Sequence, residues 1–372
     1  MKATAVIGAG FGDEGKGHIV DYLSDSDTCV IRYNGGAQAG HTVQDDERRH
    51  PFHHFGSGTF RGASTYLSQH FLVNPMLWDK ETEEIDAPFL EIHQKAPLTT
   101  YFDMLINQFV EEARGASRHG SCGVGINETI VRNQHLAWAT YVDDVRDSYG
   151  FAKKLRQIQR TYAIPRFKCL TGKEPPEMFR HLVESEELFT HFISTTFNMM
   201  MNSHLFSNLP EADKYIFEGA QGLLLDEDHK FFPHVTHSRP GLANILEVCT
   251  EAGVTELDVY YVLRSYMTRH GAGPFPTEDP TMSFRDDTNI VNQFQGGLRF
   301  GVLDYDLIRE AIDKDLSQVP SSVKVRAGLA VNCLDQYPAA LESMRYKLGL
   351  SVSLASYGPA RRDIIKRENK WS

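Results

Sequence analysis

The chain begins with a glycine-rich loop whose charged side chains suit phosphate chemistry. Residues 8–17 read Gly-Ala-Gly-Phe-Gly-Asp-Glu-Gly-Lys-Gly and follow a short apolar run. The stretch fits G-x-G-x-x-G and also G-x-x-x-x-G-K, with Gly17 in the place of Ser or Thr. Asp13 and Glu14 would repel a bare pyrophosphate, and a divalent cation between carboxylate and phosphate removes that repulsion. We therefore expect a triphosphate with Mg²⁺, to which Lys16 supplies a point charge.

A second glycine-rich loop follows the next apolar run and carries a titratable ring. Residues 34–42 read Asn-Gly-Gly-Ala-Gln-Ala-Gly-His-Thr. Glycine lets the backbone approach a ligand closely, and the imidazole of His41 can change its charge near neutral pH. A lone histidine is usually structural, and a lone glycine motif is usually a tight turn. Because the two glycine loops are expected at the same edge of a sheet, the sequence favours an acid/base pair of Asp13 and His41.

The elements that position these loops are short apolar runs with little polar alternation, typical of buried parallel strands. They span residues 4–8, 28–34, 214–219, 259–267, 327–335 and 351–358. Helical stretches lie between them at 16–23, 101–114 and, longest, 176–202. This alternation predicts an α/β fold with a large, mostly parallel central sheet and flanking helices. Ligands of such sheets bind beyond the carboxyl ends of the strands, where the polar clusters fall.

Composition limits the partners. The 372 residues contain 38 Lys and Arg against 49 Asp and Glu, a formal net charge of −11, which gives no long-range attraction for a nucleic acid polymer. With 41% hydrophobic and 23% charged residues, a largely disordered chain is excluded. We expect one domain over residues 1–372 with a helical insertion around 150–210. No membrane span or signal peptide is visible, so a cytoplasmic protein is expected.

Two other functions fit parts of the pattern. A dinucleotide oxidoreductase needs an acid near the end of the second strand to hold a ribose. Residues 32–36 at this place read Arg-Tyr-Asn-Gly-Gly and contain no acid, so the sequence does not favour this function. A nucleotide sensor without catalysis is the other alternative, and it would be marked by loss of Asp13 or His41. Both residues are present, so the sequence favours an enzyme.

Motifs along nearly the whole chain resemble, in the same order, those of the adenylosuccinate synthetase family. They are Gly-Asp-Glu-Gly-Lys-Gly at 12–17, Ala-Gly-His-Thr at 39–42, Phe-Glu-Gly-Ala-Gln-Gly at 217–222 with Leu-Asp at 225–226, Thr-Arg at 268–269 with Gly-Pro-Phe-Pro-Thr-Glu at 273–278, Leu-Asp at 334–335 and Gly-Pro at 358–359. The resemblance implies the fold of that family with a P-loop-like first loop. It also implies a homodimeric ligase that uses a nucleoside triphosphate and Mg²⁺ to join L-aspartate to a 6-oxopurine nucleotide.

The resemblance also implies roles for individual residues. Asp13 looks like the base that removes the purine N1 proton and like a Mg²⁺ ligand, together with the carbonyl of Gly40. His41 looks like the acid that stabilises charge as O6 attacks the γ-phosphate. The residues implied to bind the triphosphate are Gly12, Glu14, Gly15, Lys16, Gly17, Gly40, Thr42, Arg299, Asp335, Ser356, Gly358 and Pro359. Those implied to bind the purine nucleotide are Asp13, Gln38, Ala39, Ser121, Cys122, Arg132, Gln221 and Gly297, and those of the aspartate-binding loop are Gln295, Gly296, Gly297 and Arg299.

Several stretches depart from the family pattern. The family's Gly-Thr-Thr-Gly-Arg-Gly, which grips the 5′-phosphate, reads Gly-Ser-Cys-Gly-Val-Gly at 120–125. The family Asn before Ala-Gly-His is Gln38, and the arginine contributed across the dimer falls on Arg132. The family arginine that contacts the ribose 2′-hydroxyl falls on Gly297. A site without that donor carries no penalty for a deoxy sugar.

These departures resemble the phage-encoded branch of the family. That branch uses dGMP in place of IMP and makes N6-succino-2-amino-2′-deoxyadenylate, a precursor of 2-aminoadenine DNA. The family's guanine-reading Lys-Leu-Asp is Cys-Leu-Asp at 333–335, which favours ATP or dATP as phosphate donor, whereas the retained Asp335 fits GTP. We therefore expect dGMP as substrate, in a host cytoplasm if the protein is phage-encoded. The alternative is IMP with GTP.

Overall fold

The structure, a computed structural model, describes residues 1–45, 47–115, 120–286, 297–339 and 341–367. Its strands are β1 (Lys2–Gly8), β2 (Thr28–Arg32), β3 (His41–Gln44), β4 (Arg49–Phe52), β5 (Ser64–Leu67), β6 (Leu90–His93), β7 (Ser203–Phe206), β8 (Lys214–Gly222), β9 (Glu256–Arg264), β10 (Met267–His270), β11 (Leu298–Gly301), β12 (Lys324–Asn332), β13 (Val352–Ser356) and β14 (Ile364–Lys366). Its α-helices are α1 (Lys16–Leu23), α2 (Pro75–Thr82), α3 (Tyr101–Arg114), α4 (Ile126–Asn133), α5 (Ser148–Ile158), α6 (Ile164–Thr171), α7 (Glu177–Glu184), α8 (Glu186–Met201), α9 (Leu242–Ala252), α10 (Tyr305–Leu316) and α11 (Leu341–Leu348).

One sheet organises these elements. Ten of the described strands lie in the order β14-β13-β12-β9-β1-β8-β2-β5-β6-β7. Neighbours run parallel, except that β14 is antiparallel to β13. The structure therefore confirms the predicted α/β fold with a large, mostly parallel sheet.

Both faces of the central strand β1 are buried, which explains its continuous apolar sequence. Ala5 and Ile7 pack into an apolar cluster that includes residues of α9 and α10. Val6 points to the opposite face and packs in a cluster with Ile19 and Val20 of α1. A strand covered on both sides has no solvent-facing positions, so its sequence shows no polar alternation.

Most predicted elements are present with small shifts. The helices predicted at 16–23 and 101–114 are α1 and α3 with the same bounds. The strand predicted at 259–267 begins earlier, at Glu256, and ends at Arg264. The single long helix predicted at 176–202 is wrong, because α7 and α8 are separated at Ser185. The Ser185 hydroxyl accepts a hydrogen bond from the N–H of Leu188 and so caps the second helix.

The helical stretch predicted around 150–210 contains α5 to α8, and β7 joins the edge of the main sheet next to β6. Apolar side chains of α5, α7 and α8 pack with those of α3, β5 and β6 in one buried cluster. The assignment of residues 1–372 to a single domain stays a prediction. No helix within the described ranges combines the length and the apolar character needed to cross a bilayer.

Candidate active site

A cavity of about 1110 Å³ opens at the carboxyl edge of the sheet. Its walls come from the loops that follow β1, β2, β8 and β9, and residues of α3 and α4 close one side. The predicted site residues that line it are Gly12, Asp13, Gly15, Lys16, Gly17, Gln38, Ala39, Gly40, His41, Thr42, Ser121, Cys122 and Gln221. Asp13 and His41 therefore face one cavity, as the pattern of the two glycine loops predicted.

Other predicted residues lie elsewhere. Those that are described but do not line this cavity are Glu14, Arg132, Gly297, Arg299, Asp335, Ser356, Gly358 and Pro359. Asp335 follows β12, and Ser356 ends β13, so both lie at the same edge of the sheet as the cavity. Their contact with a triphosphate stays a prediction. Gln295 and Gly296 fall outside the described residues.

The backbone of the first loop is fixed through its carbonyl groups. Thr268 Oγ1 donates to the carbonyl of Gly12 at 3.3 Å. Arg264 Nε donates to the carbonyl of Asp13 at 2.5 Å, and Asn332 Nδ2 donates to the following carbonyl at 2.7 Å. Asp13 has a φ of 60°, in the left-handed region that is unfavourable for residues other than glycine. Donors from the ends of β9, β10 and β12 thus hold a strained loop in place.

Glu14 supports the same loop from inside. Its Oε1 accepts from the N–H groups of Gly10 and Gly12 at 3.0 and 2.8 Å, and its Oε2 accepts from Lys16 Nζ at 2.7 Å. Glu14 and Lys16 are both almost completely buried. The Glu14 carboxylate is thus turned toward its own loop, and contact of this residue with a triphosphate stays a prediction. Lys16 does line the cavity, so its charge acts in the same space as Asp13.

The Asp13 carboxylate is suited to accept a proton. Burial raises its pKa, although the charges of His270, Arg264 and Lys16 oppose the rise. In the described part of the chain no residue donates a hydrogen bond to this carboxylate, since Arg264 contacts the carbonyl instead. A carboxylate with a raised pKa is a stronger base, and its oxygens are available to a ligand.

His41 is held by a buried carboxylate that sequence reasoning did not assign. Its Nδ1 lies 2.5 Å from Oε1 of Glu218, at 7% exposure of the histidine. Glu218 also accepts from the N–H of Ser57 at 2.9 Å and from the Ser57 hydroxyl. Nδ1 therefore carries the proton, and Nε2, which has no partner among the described residues, is the acceptor.

The charges of this pair follow from its burial. Burial lowers the pKa of His41 to about 4, although the charge of Glu218 opposes it. Burial raises the pKa of Glu218, but the charge and hydrogen bond of His41, the charge of Arg32 and the Ser57 hydroxyl together lower it to about 2. At neutral pH the imidazole is neutral and the carboxylate is ionised. A polyanion in the cavity would favour protonation of Nε2, and Glu218 would stabilise the resulting imidazolium.

Packing accounts for the glycine at position 17, while its contact with a phosphate stays a prediction. A Cβ at this position would lie 2.8 Å from Ser57 Oγ and 2.9 Å from His41 Cβ. The start of α1 therefore needs glycine so that the strand carrying His41 can approach it. A Ser or Thr in this place, as in a P-loop, would push His41 away from Glu218.

Several polar atoms in the wall of the cavity are buried without a partner from the described residues. They are Gln38 Oε1 and Nε2, His41 Nε2, Thr42 Oγ1 and Gln221 Oε1. A buried polar atom without a hydrogen bond costs about 1–3 kcal/mol, so such a group is normally satisfied by a ligand or water. The five atoms belong to residues that line one cavity, which favours a polar ligand with several donors and acceptors there.

The loop at 120–125 forms the far wall next to the first turn of α4. Ser121 Oγ accepts a hydrogen bond from Asn107 Nδ2 at 2.8 Å, and burial raises the pKa of the Cys122 thiol. Gly125 lies directly before α4 with a φ of 82°, and a Cβ there would collide with the backbone of Asp103. The free N–H groups of a helix N-terminus attract anions, which agrees with the phosphate contact predicted for this loop.

Arg132 corrects one prediction. Its side chain is 0% exposed and makes a bidentate ion pair with Asp103, with both nitrogen–oxygen distances at 2.8 Å. Its remaining donors contact Leu98, Asn133, Trp138 and Thr140. Because every N–H is used inside its own subunit, Arg132 can reach neither a nucleotide nor a dimer partner.

Arg299 is also engaged elsewhere. It donates to Glu278 at 2.7 Å and to the carbonyls of Gly271 and Gly273 at 3.0 and 2.9 Å. Gly271 lines the cavity, so Arg299 shapes the wall without lining it. Gly297 is exposed and directly precedes β11, whose Leu298 pairs with the cavity residue His270.

The donor set of the cavity fits Mg²⁺. Asp13 and Gly40, the two residues that the family resemblance implies as Mg²⁺ ligands, both line the cavity. In the described ranges no group of three or more His, Cys, Asp or Glu side chains is arranged to hold a metal. Mg²⁺ is commonly bound by one or two carboxylates together with substrate phosphates, so a single carboxylate beside a phosphate site is sufficient.

Comparison with known proteins identifies the family. A family model described as adenylosuccinate synthetase matches residues 5–319. The chain belongs to the adenylosuccinate synthetase family. The adenylosuccinate synthetase of Brevibacillus brevis is 30% identical over 287 residues, covering 75% of this chain and 65% of that protein. The enzyme of Nostoc punctiforme is 34% identical over 289 residues, covering 75% and 63%. The chain thus spans less than two thirds of these relatives.

Two solved structures share the fold. Fully ligated adenylosuccinate synthetase from Plasmodium falciparum superposes with a TM-score of 0.72 and 19% identity, covering 98% of this chain and all of that one. Succinoaminodeoxyadenylate synthetase of cyanophage S-2L, bound to dGMP and to dATP as an energy donor, gives a TM-score of 0.63 and 15% identity, covering 98% and 95%.

Proposed function

We propose that the protein is a ligase that joins L-aspartate to C6 of a 6-oxopurine nucleotide, with hydrolysis of a nucleoside triphosphate. The observation that carries the proposal is that Asp13 and His41 line one cavity, and that His41 Nε2 has no partner among the described residues. Membership of the adenylosuccinate synthetase family supports it. The matching acid/base pair also argues against a nucleotide sensor without catalysis.

The proposed chemistry begins at the purine N1. A lactam oxygen is a poor nucleophile until N1 loses its proton, and Asp13 accepts that proton. O6 then attacks the γ-phosphorus, and the bond to the diphosphate breaks. The 6-phosphoryl purine that results has a good leaving group at C6, because phosphate replaces an oxygen that would otherwise leave poorly. The amine of L-aspartate displaces the phosphate and loses a proton.

His41 and Lys16 compensate the charge of this transfer. A protonated Nε2 of His41 can donate a hydrogen bond to the phosphoryl oxygens, while the N–H at Nδ1 keeps its hydrogen bond to Glu218. Lys16 lines the cavity, and in the proposed mechanism its ammonium exchanges its contact with Glu14 for a phosphate oxygen. Mg²⁺ bound to Asp13 and to the Gly40 carbonyl would neutralise polyphosphate charge.

We propose dGMP as the 6-oxopurine nucleotide. The 2-amino group of guanine is a donor that hypoxanthine lacks, and Gln38 Oε1 and Gln221 Oε1 are buried acceptors without a described partner. Gly297 presents no side chain toward a 2′-hydroxyl. The similarity in fold to a phage enzyme bound to dGMP agrees with this choice. ATP or dATP is then the proposed phosphate donor, and a homodimer the proposed assembly.

The second candidate is IMP as substrate with GTP as donor. It is favoured by the sequence relatives, which are adenylosuccinate synthetases, and by Asp335, whose carboxylate can accept hydrogen bonds from guanine.

The test is turnover of the purified protein with Mg²⁺ and L-aspartate on IMP, dIMP, GMP and dGMP, each with ATP, dATP or GTP. Product is identified by mass spectrometry. We expect dGMP to give the highest kcat/KM. Preference for IMP with GTP would establish the second candidate, and no product from any pair would refute the ligase. Gly297→Arg should shift the preference toward the ribonucleotide, and an unchanged sugar preference would contradict the role given to this position.

A further inference from the structure

Arg264 connects the loop of Asp13 with a distant segment of the chain. It ends β9 and lines the cavity, yet its donors face the protein. Nε contacts the carbonyl of Asp13 at 2.5 Å, one terminal nitrogen contacts the Tyr266 hydroxyl at 3.2 Å, and the other contacts Asp286 Oδ2 at 2.8 Å. The side chains of Arg264 and Asp286 are only 11% and 10% exposed, so the ion pair is well shielded from water.

This contact fixes the backbone that carries the Asp13 carboxylate. Asp13 has a φ of 60°, in the left-handed region, so its backbone conformation needs support from the surrounding residues. Among the described residues, Arg264 is the donor to that carbonyl, while Thr268 and Asn332 hold the carbonyls on either side. If Arg264 is lost, the peptide after Asp13 can rotate and turn the carboxylate away from the cavity.

The far end of Arg264 is fixed by residues 284–286. The ring of Phe284 stacks on Tyr266 with centroids 3.9 Å apart and planes inclined by 13°. Tyr266 in turn donates to Gln336 at 3.0 Å, after β12. Arg264, Tyr266, Phe284 and Asp286 therefore form one connected cluster, and a shift of residues 284–286 is transmitted to the guanidinium.

We propose that Arg264 is a positioning residue that keeps the carboxylate of Asp13 oriented toward the cavity. This orientation then depends on the packing of residues 284–286. The inference rests on the proposed ligase function and deepens it. A direct phosphate contact is the competing role for an arginine in this cavity. The two roles differ in what they change, because a positioning residue affects turnover and a phosphate ligand affects binding of the nucleotides.

The test compares Arg264→Gln, Arg264→Lys and Asp286→Asn with Arg326→Gln as the matched control. Arg326 makes a bidentate pair with Asp258 at 2.7 and 2.8 Å, at the opposite end of β9. Arg264→Gln should lower kcat about 100-fold, the scale of a misplaced reacting group, with KM for both nucleotides changed less than about threefold. Arg264→Lys should recover about tenfold of that loss, because an ammonium can still reach the carbonyl of Asp13. Arg326→Gln should keep kcat within about twofold.

The outcomes separate the two proposals. No product from the wild-type protein refutes the ligase function itself. An active wild type with unchanged kcat in Arg264→Gln, or with the whole loss in KM for the triphosphate, overturns only the positioning role. If Arg264→Gln does not fold, as judged by circular dichroism, Asp286→Asn decides the question. It should lower kcat about tenfold at unchanged KM, and a kcat equal to wild type overturns the proposal.

Discussion

The two acid/base side chains of the cavity are positioned by different means. His41 is held through its side chain, because Nδ1 contacts Glu218 and Glu218 contacts Ser57. Asp13 is held through its backbone, because Arg264 and the neighbouring donors bind loop carbonyls. The difference fits the proposed tasks. An imidazole that receives a proton needs a permanent counter-charge, whereas a carboxylate that serves substrate and metal must keep its oxygens unoccupied.

The largest effect is expected at Asp13. Asparagine tolerates the left-handed backbone and keeps the shape of the side chain, but it cannot accept the N1 proton. Asp13→Asn should therefore lower kcat by about 10³-fold or more in a steady-state assay with dGMP. Calorimetry should still detect binding of the triphosphate to the variant. A variant within tenfold of wild-type turnover would remove Asp13 from the base role.

The side-chain anchor is tested at Glu218. His41→Asn should lower kcat by about 10²-fold, and Glu218→Gln by about 30-fold, because the imidazolium loses its counter-charge. Since Glu218 acts through His41, the double variant should be no slower than His41→Asn alone. If the loss of kcat in the double variant equalled the product of the two single losses, Glu218 would act independently of His41.

Thermal stability without Mg²⁺ separates the two carboxylates further. Asp13 has a raised folded-state pKa, so its ionisation costs stability once pH rises above its ordinary value of 3.8. Glu218 has its pKa lowered to about 2, so it contributes stability above 4.5 that is lost as pH falls toward 2. Asp13→Asn should raise Tm at pH 7 and Glu218→Gln should lower it. Both differences in Tm from the wild-type protein should become smaller as the pH of the series falls toward 3. If the two variants shifted Tm at pH 7 in the same direction, the contrast between the two carboxylates would be wrong.

The smallest effect is expected at Thr268, whose hydroxyl makes the longest of the three carbonyl contacts, 3.3 Å. Thr268→Val keeps the shape and removes this hydrogen bond, which is worth about 0.5 kcal/mol or less. The expected loss in kcat is below about threefold, with unchanged Tm. A tenfold loss would mean that all three carbonyl contacts share the anchoring equally.

Local sequence patterns predicted the strands and the meeting of the two glycine loops. A strand without polar positions signals burial on both faces, and glycines before His41 signal a close approach. These signals lie within a few residues, so they can be read without knowledge of the tertiary structure.

Long-range relations could not be predicted in this way. Glu218 lies in the quoted motif at 217–222, but its contact with His41 requires β8 to lie between β1 and β2. Arg132 was assigned by its position relative to the family motif, and its burial depends on Asp103, which is 29 residues away. The hydrogen bond from Arg264 to the carbonyl of Asp13 joins residues 251 positions apart. Sequence periodicity identifies elements but does not give their order in the sheet.

The place of β1 in the sheet has a consequence for biosynthesis. Thr4 pairs with Ile216 on one side and with Asp258 on the other, and these residues are translated more than 200 positions later. β1 therefore leaves the ribosome well before the two strands that pair with it, as an apolar strand without neighbours, and unpaired apolar strands of nascent chains are prone to aggregate. The residues that line the cavity extend to Ala272, so a ligand of this cavity can stabilise the chain only after β9 has emerged, and not its earlier intermediates.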